Sequence, residues 1–391
     1  MTTPWEQFKT AARLEKTDKP PIAFIVDSPW LPGYAGIDTL DFYLRPDLWF
    51  DAYRSLLDRW PEVTWVPGFW VEYGMAIEPS AYGVQFFFHD DRPPSLEAVV
   101  TDPAHWANVP VPDVKEAGFM PLALRLYRYA EERLHAEGLG INMVVSRGPI
   151  VTACWVMGVS SFMTGLITHP KEIHKFLDNI TTMIIRWIHA QLDVLRHPEG
   201  FMLMDDLIGM LSVAHYHEFV EPYLRRIFDE FEGIVRIYHN DMYCSHLNTV
   251  LADANFEVYQ FSYEADILEA RAQMGHRVAL MGNIAPMQVC ARETPEVIYR
   301  VTQMYLDKVA PGGGLILSLG GGISTGTPIE NVEAMVQGWR DWNPAQADPN
   351  RETDPAILKY FNYREGSPSA DTPRRERRTR RQTRRTRVEH R

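Results

Sequence analysis

Eight short apolar runs punctuate the chain, each followed by polar residues and then by a stretch whose apolar positions recur every three or four residues. The runs are IAFIV (22–26), VTWVPGF (63–69), INMVVS (141–146), FMLM (201–204), IVRIY (234–238), FEVYQF (256–261), VALMG (278–282) and LILSL (315–319). They are apolar throughout rather than alternating, the pattern of strands buried on both faces, as parallel strands with helical crossovers are. The helices between them are clearest in IHKFLDNITTMIIRWIHAQL, where Ile173, Phe176, Leu177, Ile180, Ile184 and Trp187 share one face. Thr327-Pro328-Ile329-Glu330 predicts the start of the last helix, a capping box with proline at the first helical position. Strands and helices in strict alternation predict an α/β fold, a (β/α)8 TIM barrel in preference to an open doubly wound sheet. The expected limits are an N-terminal helical extension at 1–20, one barrel domain at 21–345 and a C-terminal extension at 346–391. The stretch 70–140 is expected to add loop and helix between the second and third strands.

A barrel places its chemistry at the C-terminal ends of its strands, and those ends are loaded here. In strand order they read Asp27-Ser28-Pro29-Trp30, Trp70-Val71-Glu72-Tyr73, Arg147-Gly148-Pro149, Asp205-Asp206, His239-Asn240-Asp241, Ser262-Tyr263-Glu264, Asn283 and Gly320-Gly321-Gly322. His239 and Asp241 admit three readings. As metal ligands they need a third partner, Glu72 or Asp206, and such a set suits Zn2+ or another first-row divalent ion. As a metal-free pair, the carboxylate would orient an imidazole that exchanges protons. As a structural pair, they would hydrogen-bond and fix the loop. Cys244 stands five residues from His239, a spacing that favours a buried free thiol. Asp205 and Asp206 are adjacent and point apart, so one is expected to face the cleft, Asp206, while the other caps the next segment. Trp30, Phe69, Trp70, Tyr73 and Trp155 suggest an aromatic lining for a flat, apolar or cationic ligand. Asp27 and Asn283 complete the expected substrate-binding set, and the glycines suit close approach of backbone to a bulky ligand, with Gly321 at its centre.

Composition changes this picture little, whereas charge changes it more. With 46% hydrophobic and 23% charged residues the chain reads as an ordinary globular protein, and no apolar stretch suggests a membrane span. The polar N-terminus does not read as a secretory signal, so a cytoplasmic location is expected. Three cysteines, widely spaced, are expected to be free thiols. Residues 374–391 hold ten Arg and two Glu, which leaves 29 basic and 49 acidic residues in the body. The arginine-rich tail is expected to be disordered, a solvated extension more than a nucleic-acid-binding arm.

The C-terminal third carries a resemblance. YHNDMYCSHLNTVLADANFEVYQFSYEADILEARAQMGHRVALMGNIAP and GGGLILSLGGGISTGTPIENVEAMV are similar to the His-bearing strand end, the GNIDP turn and the last strand and helix of the uroporphyrinogen decarboxylase family, which includes corrinoid-dependent methyltransferases. DDLIGMLSVAHYHEFVEPYLRRIF is a weaker match, and the resemblance runs over most of 20–340. It implies a barrel with its cleft at these strand ends. The family's decarboxylases grip a polycarboxylate porphyrinogen with an arginine after the first strand and an aspartate after the second. Here those places read DSPWLPGY and FWVEYG, and the decarboxylase histidine falls at Gly321. The thiol-methylating branch holds zinc by His-x-Cys and a later cysteine, where this chain has Asp241 and Gly321. The resemblance therefore implies a methyltransferase acting between a small-molecule methyl donor or acceptor and a corrinoid delivered by a corrinoid-binding partner protein. His239, Asp241 and Asp206 would be its catalytic residues, and His239, Asp241 and Glu72 its candidate metal ligands. A carboxy-lyase and a non-catalytic binding barrel are the alternatives.

Overall fold

The computed structural model describes residues 2–99 and 103–361, and the arginine-rich tail lies outside the described residues. Each of the eight apolar runs overlaps a strand: β1 (Ala23–Ile25), β2 (Thr64–Val66), β3 (Met143–Arg147), β4 (Gly200–Met204), β5 (Val235–Asn240), β6 (Val258–Phe261), β7 (Ala279–Ile284) and β8 (Leu315–Leu319). Strands β3 to β8 form one parallel sheet in sequence order and β1 pairs in parallel with β2. Bridges from Ile22 to Leu317 and from Ile25 to Gly322 join β1 to β8. The result is the expected (β/α)8 barrel, with helices between successive strands.

Among the described residues no ladder joins β2 to β3, and side chains substitute for it. Glu78 Oε1 accepts the Arg147 backbone N–H at 2.9 Å, and Gln191 Nε2 donates to the Val145 carbonyl at 3.0 Å. Both groups sit on the same edge of β3, where an unpartnered buried amide or carbonyl would cost about 1–3 kcal/mol. Burial pushes the Glu78 carboxyl up, while the Arg147 N–H and guanidinium oppose the shift. Its folded pKa therefore lies above its unfolded one. The unfolded chain then loses this proton first as pH rises, and stability falls with pH until Glu78 itself ionises in the fold. Glu78→Gln keeps an acceptor and removes the charge. Its unfolding free energy relative to wild type is expected to improve between about pH 4 and about pH 8. Urea titrations at the two pH values check this, and an unchanged difference would refute it.

The helix Pro170–Leu192 buries all six residues read from its periodicity. The N-terminal helix, Pro4–Ala12, is capped by Thr3 and turns Phe8, Ala11 and Ala12 inward. It is tied to the residue before β4 by Trp5 Nε1 and Lys9 Nζ, which donate to Glu199 at 2.5 and 2.7 Å. The helix after β8, Ile329–Asp341, departs from the expected capping box. Pro328 is its N-cap and offers no side-chain acceptor, while the Thr327 hydroxyl donates to the Ser324 carbonyl at 2.8 Å. The segment between β2 and β3 also contains an antiparallel hairpin, Gln85–Phe87 with Ser95–Glu97, that the pattern did not predict. Its three-residue strands are exposed or half-buried, and the short run Phe86-Phe87-Phe88 that marks the first of them lies on the surface instead of in the barrel. No single helix among the described residues is long and apolar enough to cross a membrane.

Register matters most for the site. Arg147, Met204, His239 and Gln260 are successive partners across β3 to β6. In-register neighbours of a parallel sheet point to the same face. One row across the upper part of the sheet thus carries a guanidinium and an imidazole two strands apart, both buried.

Candidate active site

The two carboxylates after β4 have different tasks. Asp205 is buried and accepts the N–H groups of Ile150 at 3.2 Å and Val151 at 2.7 Å, in the first turn of the helix Pro149–Met157. Burial pushes it up to about 8 against the pull of those two donors. It is a cap, though for the helix after β3 and not for the segment after its own strand. Asp206 starts the short 3-10 turn Asp206–Met210 and turns toward the end of β5. Its Oδ1 lies 3.4 Å from His239 Nε2 and accepts the Asp241 N–H at 3.1 Å.

Asp206, His239 and Asp241 each place one ligand atom within 4.8 Å of the others. His239 is buried, and its Nδ1 has no hydrogen-bond partner. Asp241 opens to the cleft yet is crowded by protein atoms. Burial raises its pKa first and the charge of Asp206 next, while His239 and Arg147 oppose the shift. Two such carboxylates favour a shared proton or a shared cation. Across from them Gly321 has φ +138°, and a Cβ there would lie 3.7 Å from Asp241 Oδ2. At Gly322 a Cβ would lie 3.5 Å from both carboxylate oxygens of Asp27. The bare end of β8 is therefore the wall that faces these acids.

On the other side of the cleft, Asp27 is pushed well up by burial and by the nearby charges of Glu72 and Asp241, with Arg147 opposing. Glu72 is also raised by burial, but it accepts the Ser28 N–H at 2.5 Å. Tyr43 donates to Ser28 Oγ at 2.7 Å and completes this corner. Glu72 was a candidate metal ligand on sequence grounds; the group that geometry brings together contains Asp206 in its place. The reason is local, since the Ser28 amide holds Glu72 back at the first strand's end. Arg147 lies between the rings of Trp70 and Trp155, with its Cζ 5.4 Å from each centroid.

Other candidates face elsewhere. Asn283 spends its amide on the Ser262 and Ala265 carbonyls at 2.9 and 2.8 Å and its oxygen on the Tyr305 hydroxyl, so it locks loops together. Trp30 donates to the Thr327 carbonyl at 2.9 Å and stacks on Tyr34. Tyr73, half-buried, packs on Tyr43 and Phe119, while Phe69 belongs to a core cluster with Trp49, Phe50 and Tyr53. Arg45 is exposed and pairs with Asp47 at 2.9 Å. Cys244 is buried with its Sγ 3.1 Å from the Tyr259 hydroxyl, away from the acidic group. Tyr43 and the Ser28 amide were not singled out from sequence, because no pattern signals which polar group a loop will fold over.

The family model described as uroporphyrinogen decarboxylase (URO-D) matches residues 3–342. The chain belongs to the URO-D family. Uroporphyrinogen decarboxylases are distant relatives of this family member. That of Azoarcus sp. (strain BH72) is 28% identical over 272 residues, 66% of this chain and 73% of the relative. That of Azotobacter vinelandii is 26% identical over 300 residues, 73% of this chain and 81% of the relative. Among solved structures, a methyltransferase from Methanosarcina mazei superposes with a TM-score of 0.74 at 19% identity, covering 87% of this chain and 99% of that one. At that identity the likeness speaks for the fold of this URO-D family member.

Proposed function

We propose that the chain is an enzyme, a corrinoid-dependent methyltransferase that moves a methyl group between a small donor, such as an ether or amine, and a corrinoid carried by a separate protein. The observation that carries this reading is the Asp206, His239 and Asp241 group at the barrel mouth, facing a wall without a side chain at Gly321. Two carboxylates and an imidazole are a donor set for Zn2+ or a similar divalent ion, and the unpartnered Nδ1 leaves the buried ring short of a ligand. An ion held there would act as a Lewis acid on the oxygen or nitrogen that the methyl group leaves.

The chain's own residues supply the rest. Burial and the charge of Asp206 make Asp241 hold a proton more readily, and His239 sits beside the two carboxylates to exchange it. Trp70 and Trp155 flank the Arg147 guanidinium and fix it beside the cleft. The Gly320–Gly322 end of β8 lets a broad ligand approach the backbone. Exposed Leu44, Phe87, Met210, Tyr243 and Met287 lie in the segments after β1, β2, β4, β5 and β7, an apolar rim suited to a docking protein. A porphyrinogen with many carboxylates would need several buried cations. Arg147 is buried, whereas Arg45 is exposed and already paired.

Elemental analysis of the purified chain, with a uroporphyrinogen assay on the same sample, tests this reading. About one divalent ion per chain and no CO2 release are expected. A metal-free protein that decarboxylates uroporphyrinogen would overturn it.

A further inference from the structure

We propose that Arg147 anchors a single carboxylate on the substrate, so that the molecule handled at the Asp206, His239 and Asp241 group is a monocarboxylate about one aromatic ring long. This names a substrate class for the reaction proposed above, and it rests on that reading for which end of the molecule reacts.

Arg147 is only 6% exposed, and among the described residues its guanidinium has no hydrogen bond or ion pair. Its nitrogens keep some contact with solvent, so an anion can reach them, while a residue this buried leaves little room for water to satisfy the charge. The acids around it are otherwise engaged. Glu72 accepts from Ser28, and Glu78 accepts from the Arg147 backbone N–H and from the Ser146 hydroxyl. Trp70 and Trp155 hold the group from two directions at 5.4 Å, which positions its planar fork without using the N–H edges. Such a fork matches a carboxylate with two parallel hydrogen bonds.

The surrounding charge limits what can bind. Asp27, Glu72, Glu78 and Asp241 all lie within the electrostatic reach of Arg147. A dianion such as a phosphate monoester would meet four acids with one cation, whereas a monoanion matches the single cation and adds less repulsion than a dianion. The register sets the length. Arg147 and His239 occupy one row two strands apart, about 10 Å between their backbones. A ligand that touches both ends must carry its carboxylate and its reacting group on opposite sides of a spacer the size of a ring.

Titration calorimetry on the full chain with benzoate and with benzamide tests the anchor apart from any turnover. Benzoate is expected to bind at least about tenfold more tightly than benzamide, and Arg147→Met should lose about 10- to 100-fold in benzoate affinity. Cys244→Ser should keep benzoate binding, since that thiol lies against the Tyr259 hydroxyl and belongs to neither end of the site. Arg147→Lys, which keeps the charge and loses the fork, should fall between wild type and the methionine variant, and it carries the test if that variant does not fold. Equal affinity for benzoate and benzamide in the wild type, benzoate affinity unchanged by either Arg147 substitution, or its loss in Cys244→Ser would each overturn the proposal. A chain that binds benzoate through Arg147 yet transfers no methyl group would leave the anchor standing and sink the reaction.

Discussion

His239→Ala is expected to abolish methyl transfer and to weaken Zn2+ binding by more than the roughly 10- to 100-fold that loss of an outer-shell partner costs. The imidazole is the nitrogen donor of the Asp206, His239 and Asp241 group, and no other histidine or cysteine belongs to that group among the described residues. Its side chain makes no hydrogen bond through Nδ1, and Nε2 stands 3.4 Å from Asp206, so truncation removes a ligand without breaking a network. Competition titration against a chelating dye measures the loss, and circular dichroism verifies the fold. Cys244→Ser serves as the contrast. That thiol lies against the Tyr259 hydroxyl, outside the acidic group, and its removal should leave zinc affinity in place. Equal zinc affinity in His239→Ala and wild type would contradict the metal assignment.

Gly320→Ala is expected to cost about 3 kcal/mol of stability, at the upper end of what overpacking usually costs. A Cβ at this position would lie 2.4 Å from the Tyr263 backbone nitrogen and 2.6 Å from its Cα. No side chain can swing aside to relieve that, so either the loop after β6 or the end of β8 must move. The shift would also carry Gly321 away from Asp241, and activity should fall along with stability. Gly312→Ala is the control, because nothing lies within 4 Å of its added methyl group. Urea unfolding should show a change within about 0.5 kcal/mol there. Similar losses at both glycines would mean that the close approach at Gly320 is not what constrains it.

The barrel was legible because parallel strands buried on both faces leave unbroken apolar runs, which no loop in this chain imitates. Strand ends were therefore legible as well, and with them Asp206, His239 and Asp241. Side-chain direction was not. Asn283 sits at a strand end like the others, but its amide is drawn to the Ser262 and Ala265 carbonyls by a loop path that sequence does not describe. Trp30 is likewise turned toward Thr327, and Glu72 toward Ser28. The setting of Arg147 depends on three separate pieces of chain, β3, the loop after β2 and the helix Pro149–Met157, so its two indoles could be suspected individually and not as a pair. The seam between β2 and β3 is closed by Glu78 and Gln191, tertiary substitutes that leave no periodic trace.

The most direct measurement is methyl transfer itself, followed spectroscopically under anaerobic conditions with the zinc-loaded chain, cob(I)alamin and a panel of methoxybenzoates and methylamines. Formation of methylcobalamin that depends on the wild-type chain and is lost in Asp206→Asn and His239→Ala is the predicted result. No methylcobalamin from any donor, with CO2 released from uroporphyrinogen by the same preparation, would contradict the account.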